Sequence, residues 1–287
     1  MATDGVRVNP FDLIALLCIP VVLVGVFLLP GPTRADYVLS YMEPTILTAY
    51  TMHFVHLQAG HLLTNLVVYL LVVPVTYLVA RRANRRDLFW AAFLTFLLVL
   101  PIALSGLNLL FERPRVGFGF SGINMAFLGL LALLLIAGAG HRPGQTTSVH
   151  HAPGLFFAGT GLIATLAVPD PRIRLGLAAA ATLAAVLYLA ELGGEASLRG
   201  QLDTALRSDG LELTAAGLGV FVLVPFAAFP PSPASAGSVL NLYTHLLGYS
   251  IGFIAPYVTV SVLEVDLPTT FSESESGHTE PRATEAD

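Results

Sequence analysis

Gly117-Phe118-Gly119-Phe120-Ser121-Gly122 opens directly into the apolar run 123–139, and its reading decides the fold. A serine flanked by glycines at the head of a membrane-length segment has two readings. It is a helix cap, its oxygen accepting from a free first-turn amide, with the glycines admitting a neighbouring helix. Or it is a nucleophile beside the donors and positive dipole that every helix start presents. On the second reading its own amide helps hold the oxyanion of an attacked carbonyl, and Gly122 leaves room for a substrate backbone.

Composition favours a bilayer. Of 287 residues, 55% are hydrophobic and only 11% charged, against about 25% charged in soluble domains. The apolar residues fall in runs long enough to cross a membrane. They predict an all-α polytopic protein with eight spans, over residues 11–29, 53–80, 88–110, 121–139, 152–168, 173–192, 211–229 and 239–263. Residues 1–261 read as one membrane domain, and 262–287 as an acidic, disordered C-terminal tail. The start, Met1 to Arg7, is nearly charge-balanced and no small-x-small cleavage site follows, so the first run reads as a span and not a cleaved leader. Arg81-Arg82-Ala83-Asn84-Arg85-Arg86 concentrates positive charge in one short loop. The positive-inside rule makes that loop cytoplasmic, and with it the N-terminus and the C-terminus of an eight-span chain. A net charge of -5 with much of the acid in the tail gives no basic surface for nucleic acid. It suits a prokaryotic, salt-adapted host. The single cysteine, Cys18, reads as a small buried hydrophobe.

Polar side chains inside spans are costly and mark function by default. His61 and Asn65, four apart, share a helix face and can both donate hydrogen bonds; they read either as oxyanion donors or as interhelical glue. His56 lies just upstream. A metal site at His53, His56 and His61 lacks both a carboxylate and the spacing of a helical zinc protease, so no metal and no cofactor is expected. His245 is followed by Gly248 and Gly252, a strip where another helix can come close. With no acid nearby in sequence, it suits a Ser-His dyad in which it serves as general base. Three spans separate Ser121 from His245, an odd number. Both therefore lie at the same membrane face, the outer one, together with His61 and Asn65.

At these motifs the chain resembles the rhomboid family of intramembrane serine proteases. Gly119-Phe120-Ser121-Gly122 is similar to the family's GxSG, His61-Leu62-Leu63-Thr64-Asn65 to its HxxxN, and His245 with Gly248 and Gly252 to its terminal-helix motif. His56 matches the family's extra upstream histidine. The resemblance implies Ser121 as nucleophile and His245 as base. It implies oxyanion support from His61, Asn65 and Ser121, with His56, Gly119, Gly122, Gly248 and Gly252 in supporting roles. The implied substrates are transmembrane proteins of the surrounding lipid bilayer. Ala126 stands where the family carries glycine, Thr244 where a small residue precedes the histidine, and Tyr37 to Glu43 where a Trp-Arg signature is usual. Eight spans are two more than the six-helix core, the additions falling within 140–238. A non-catalytic relative that binds or chaperones membrane proteins is the alternative. A transporter lacks the intramembrane acids that an ion path needs.

Overall fold

The computed structural model describes residues 9–111, 114–139, 149–190, 210–230, 234–235, 238–239 and 241–266. Helices dominate it. In chain order they are α1 (Pro10–Phe27), α2 (Gly31–Ala35), α3 (Ile46–Thr51), α4 (Ala59–Arg82), α5 (Arg86–Leu98), α6 (Leu100–Asn108), α7 (Ser121–Ala139), α8 (Ala152–Ala167), α9 (Pro171–Ala190), α10 (Leu211–Ala228) and α11 (Leu242–Asp266). Two short antiparallel ribbons join them: β1 (Leu39–Ser40) with β2 (Val116–Gly117), and β3 (Ala234–Ser235) with β4 (Ser238–Val239). The protein is an all-α, multi-pass membrane protein.

Six of these helices, α1, α4, α7, α9, α10 and α11, are long and apolar enough to cross a bilayer, and the bent pair α5–α6 makes a seventh if its two halves form one broken span. The remaining expected span, 152–168, forms α8, which has 16 residues. At 1.5 Å per residue that is about 24 Å, short of a hydrocarbon core of about 30 Å. Two other boundaries differ from the expectation. The second span begins at Ala59 and not near His53, because residues 46–54 fold separately as α3 and a 3-10 turn (Met52–Phe54). The final helix runs on to Asp266, past the expected start of the tail at 262; residues 267–287 lie outside those described, as do 140–148 and 191–209.

Proline accounts for the break in the α5–α6 pair, which bends by 48°. Pro101 has no N–H for the carbonyl of Leu97 four residues earlier, and the Tyr50 hydroxyl donates to that carbonyl instead, at 3.1 Å. The same device serves α1. Pro20 orphans the Leu16 carbonyl, and the buried Tyr69 hydroxyl donates to it at 2.8 Å. In lipid such a carbonyl must find an internal partner, so each tyrosine also locks two helices together. A third tie joins helix ends. Asp12 on α1, 5% exposed, accepts from Tyr77 of α4 and from both Nη2 (2.7 Å) and Nε (3.1 Å) of Arg86 on α5. The start of α1 thus lies beside the end of α4 and the arginine-rich loop.

α7 is the central helix: 78% of its span is buried, against 11% for α9. α4, α8, α10 and α11 pack around it. α8 and α9 form a hairpin at the periphery, started by Asp170, whose carboxylate caps α9 by accepting from the amides of Arg172 (2.8 Å) and Ile173 (3.1 Å). The hairpin is fastened to α11 by the Tyr249 hydroxyl, which donates to the Phe156 carbonyl at 2.9 Å, and by the Phe156–Phe253 stack at 4.5 Å. Cys18 is exposed on the outer face of α1, not buried. An apolar run does not distinguish a side chain facing lipid from one facing its own protein, since both surroundings are apolar.

Candidate active site

α7 and α11 touch backbone to backbone. A Cβ added at Gly248 would stand 2.0 Å from the Gly122 carbonyl oxygen, and one at Gly252 2.1 Å from that of Ala126. On the facing side, a Cβ at Gly122 would meet the Thr244 methyl at 2.8 Å, and one at Gly129 the Tyr249 carbonyl oxygen at 2.2 Å. Small residues admit this crossing, and without a hydrophobic drive between helices in lipid, close packing is what holds it. The three helices between Ser121 and His245 do not separate them, because α8–α9 lies outside the crossing and α10 lies beside it.

The crossing brings Ser121 Oγ and His245 Nε2 to 2.6 Å. On its other side the ring meets the Ala228 carbonyl, with Nδ1 at 2.7 Å. A carbonyl only accepts, so Nδ1 carries the proton and Nε2 presents its lone pair to the serine hydroxyl. That is the tautomer a general base needs. Ala228 is the last residue of α10, where carbonyls have no intrahelical partner. Phe229 closes the site from the side, its ring perpendicular to the imidazole at 5.7 Å.

Ser121 is not the helix cap. Phe120 holds that position: its carbonyl accepts from the amides of Ile123 (3.0 Å) and Asn124 (3.1 Å). Ser121 is therefore the first helical residue. Its N–H has no intrahelical acceptor, and its hydroxyl faces His245.

The preceding loop is held from several sides. β2 pairs with β1, Gly119 N–H donates to the Met52 carbonyl at 2.8 Å, and Phe120 N–H points at His56 Nε2 at 3.5 Å. Gly119 has φ +111°, and a Cβ there would lie 2.5 Å from the His61 ring. Backbone conformation and the neighbouring imidazole both demand glycine. Arg34 stacks on Phe27 and donates to the His56 carbonyl at 2.7 Å, fixing the loop before α4.

His61 and Asn65 line one small cavity with Ser121, His245 and Ala228, about 40 Å³ in volume. His61 packs edge-on against His56 (5.1 Å) and Phe118 (5.5 Å), and its Nε2 is buried with no protein partner. Asn65 donates one amide hydrogen to the His61 carbonyl at 3.0 Å; the amide has a second. All four expected side chains are thus gathered. His56 supports the loop next to them.

A second serine–histidine pair makes the contrast. His53 Nε2 lies 3.0 Å from the Pro101 carbonyl and 3.1 Å from Ser105 Oγ, and Ser105 donates to the Ala49 carbonyl. Here Nε2 must carry the proton, so this histidine cannot take one from its serine. Burial pushes His53 down to about 4, although the Pro101 carbonyl opposes the shift. Burial, reinforced by His61 and opposed by the Phe54 carbonyl, pushes His56 down to about 3. Both are neutral at ordinary pH. Among the described residues no three His, Cys, Asp or Glu side chains converge as a metal site.

Sequence reasoning missed three contributors. The Ala228 carbonyl is backbone and carries no side-chain signal. Asn108, fully buried, accepts from Asn241 (2.7 Å) and Thr244 (3.1 Å), fixing the start of α11 one residue before His245. Asn124 lines the same cavity; a lone amide one turn past Ser121 in an apolar helix was the available signal. No family model, no curated protein and no solved structure matches this chain.

Proposed function

We propose that this protein is a rhomboid-like intramembrane serine endopeptidase that cleaves transmembrane segments of other membrane proteins. The observation that carries the reading is the 2.6 Å contact between Ser121 Oγ and the lone pair of His245 Nε2, with Nδ1 tied to the Ala228 carbonyl. Ser121 attacks the scissile carbonyl as Nε2 takes its proton. Nδ1–H remains on the carbonyl at the C-terminal, negative end of α10, which favours the imidazolium formed in that step. The oxyanion meets the Ser121 amide, His61 and the free N–H of Asn65. His245 then protonates the leaving amine as the C–N bond breaks, and water hydrolyses the acyl-enzyme by the reverse sequence.

The site belongs to the outer side of the membrane on this reading. His61 lies in the first turn of α4 and Arg81 and Arg82 end it, so the arginine-rich loop marks the cytoplasmic side. Both termini are then cytoplasmic: α7 and α11 run in the same direction at their crossing, Gly122 against Gly248 and Ala126 against Gly252, so on this reading α8, though short, crosses together with α9 and α10. The test is cleavage of a model transmembrane substrate in proteoliposomes. Wild type is expected to cleave and to label with a fluorophosphonate, and Ser121→Ala to lose at least about 1,000-fold in rate while keeping its thermal midpoint. Undiminished cleavage by Ser121→Ala, or no cleavage by wild type, overturns the assignment and leaves the binding or chaperone alternative.

A further inference from the structure

Asn124 lies on α7 one turn beyond Ser121 and is 1% exposed. Its Nδ2 donates to the Asn65 backbone carbonyl at 3.0 Å and reaches Asn65 Oδ1 at 3.3 Å. Both partners are acceptors, which fixes the orientation of the amide. Oδ1 is consequently turned elsewhere, buried and without a protein partner. Asn124 lines the cavity that also holds Ser121, His245, His61 and Asn65.

An unpaired buried acceptor costs free energy, more so at membrane depth, and the structure has one among groups that act on a carbonyl. The cavity, about 40 Å³, exceeds the roughly 10–15 Å³ that one water needs, and it offers several polar partners. The oxyanion groups in it are donors, while Asn124 Oδ1 only accepts. It therefore suits a ligand with hydrogens to give and a lone pair left to react.

We propose that Asn124 Oδ1 holds the hydrolytic water of the proposed peptidase, a proposal that rests on the reading above. One O–H of the water donates a hydrogen bond to Asn124 Oδ1 and keeps its hydrogen. The other hydrogen goes to His245 Nε2 as the water oxygen bonds to the carbonyl carbon of the Ser121 ester. Collapse breaks the bond from that carbon to Ser121 Oγ, which recovers the proton from His245, and a carboxylic acid leaves. Asn124 takes no part in acylation, where Ser121 itself is the nucleophile.

The experiment separates the two half-reactions in the full-length protein in proteoliposomes, with a fluorophosphonate and with p-nitrophenyl acetate. Asn124→Leu is expected to label at a rate within about threefold of wild type, to release a burst of p-nitrophenol, and then to turn over at least about 10-fold more slowly, the range of a lost buried hydrogen bond. The acetyl-enzyme should be visible by intact mass, and hydroxylamine should restore turnover. Asn124→Asp keeps the acceptor oxygen and should not accumulate acetyl-enzyme. Equal slowing of labelling and turnover in Asn124→Leu assigns the residue to holding Asn65 and overturns the proposal, as does wild-type deacylation. Should the leucine variant not fold, acetyl-enzyme accumulation in Asn124→Asp overturns it. A wild type that neither labels nor releases p-nitrophenol removes the peptidase reading and this proposal with it.

Discussion

Gly248→Ala isolates the helix crossing from the chemistry it serves. Gly248 follows His245 by one helical turn. The new methyl would lie 2.0 Å from the Gly122 carbonyl oxygen, 2.9 Å from its carbonyl carbon and 3.2 Å from its Cα, and all three are backbone atoms. No flexible side chain can swing aside, so relief requires α7 and α11 to part by about 1.4 Å to reach ordinary contact. That movement takes the 2.6 Å Ser121–His245 hydrogen bond beyond hydrogen-bond range. Overpacking of this kind costs about 1–3 kcal/mol of stability, and a 1 Å misplacement of reacting groups costs about 100-fold in rate. Cleavage in proteoliposomes, the rate of fluorophosphonate labelling and the thermal midpoint in detergent measure the three effects. Gly219→Ala on α10, where nothing stands within 4 Å of the added methyl, is the control and should stay within about twofold of wild type. If Gly248→Ala cleaves within threefold of wild type, helix proximity does not set the dyad and the reasoning fails.

Three further outcomes follow from groups away from the dyad. Asp12→Ala strips Tyr77 and Arg86 of their shared acceptor and should lower stability by about 1–3 kcal/mol, read as a lower thermal midpoint with fluorophosphonate labelling retained at low temperature. Tyr69→Phe leaves the Leu16 carbonyl, orphaned by Pro20, without its donor; a loss of about 1–2 kcal/mol is expected, and an unchanged midpoint refutes the capping role. Folded His53 titrates near 4, below the ordinary 6.5 of an unfolded chain. Above pH 6.5 neither state binds the proton. Below it the unfolded state does and the folded state does not, so stability falls with acid by up to about 1.4 kcal/mol per pH unit down to about 4. His56, pushed down to about 3, adds a slope of the same sign, so thermal midpoints from pH 7.5 to 4.5 should fall at least that steeply, and His53→Gln should remove its share.

What could be read from the sequence was what polarity and spacing encode. Ser121, His61, Asn65 and His245 stood out because buried polar groups in apolar runs need partners, and the expected odd number of spans between Ser121 and His245 predicted a common face. Gly248 and Gly252 announced a close approach, which Gly122 and Ala126 meet. The span count was harder. Hydropathy does not show that Pro101 bends 88–110 into two helices, nor that the run 152–168 folds as a helix of only 16 residues. Cys18 illustrates a limit of the same kind, since facing lipid and facing the core look alike in composition.

The absence of an acid near His245 in sequence suggested a dyad, and the structure supplies a third group that side-chain reading cannot see. An imidazole free to rotate or to change tautomer is a poor base, whatever its distance from a hydroxyl. The Ala228 carbonyl removes both freedoms: it requires N–H on Nδ1 and so leaves the lone pair on Nε2. It is free to do so only because α10 ends there, and α10 ends there with its own interior proline, Pro225, one turn before. This divides the residues between Ser121 and His245 unequally. The α8–α9 hairpin packs outside the α7–α11 crossing and contributes no atom to the cavity, whereas α10 brings Ala228 to it. On the proposed mechanism α10 is therefore part of the active-site core, and the helices added to it are α8 and α9.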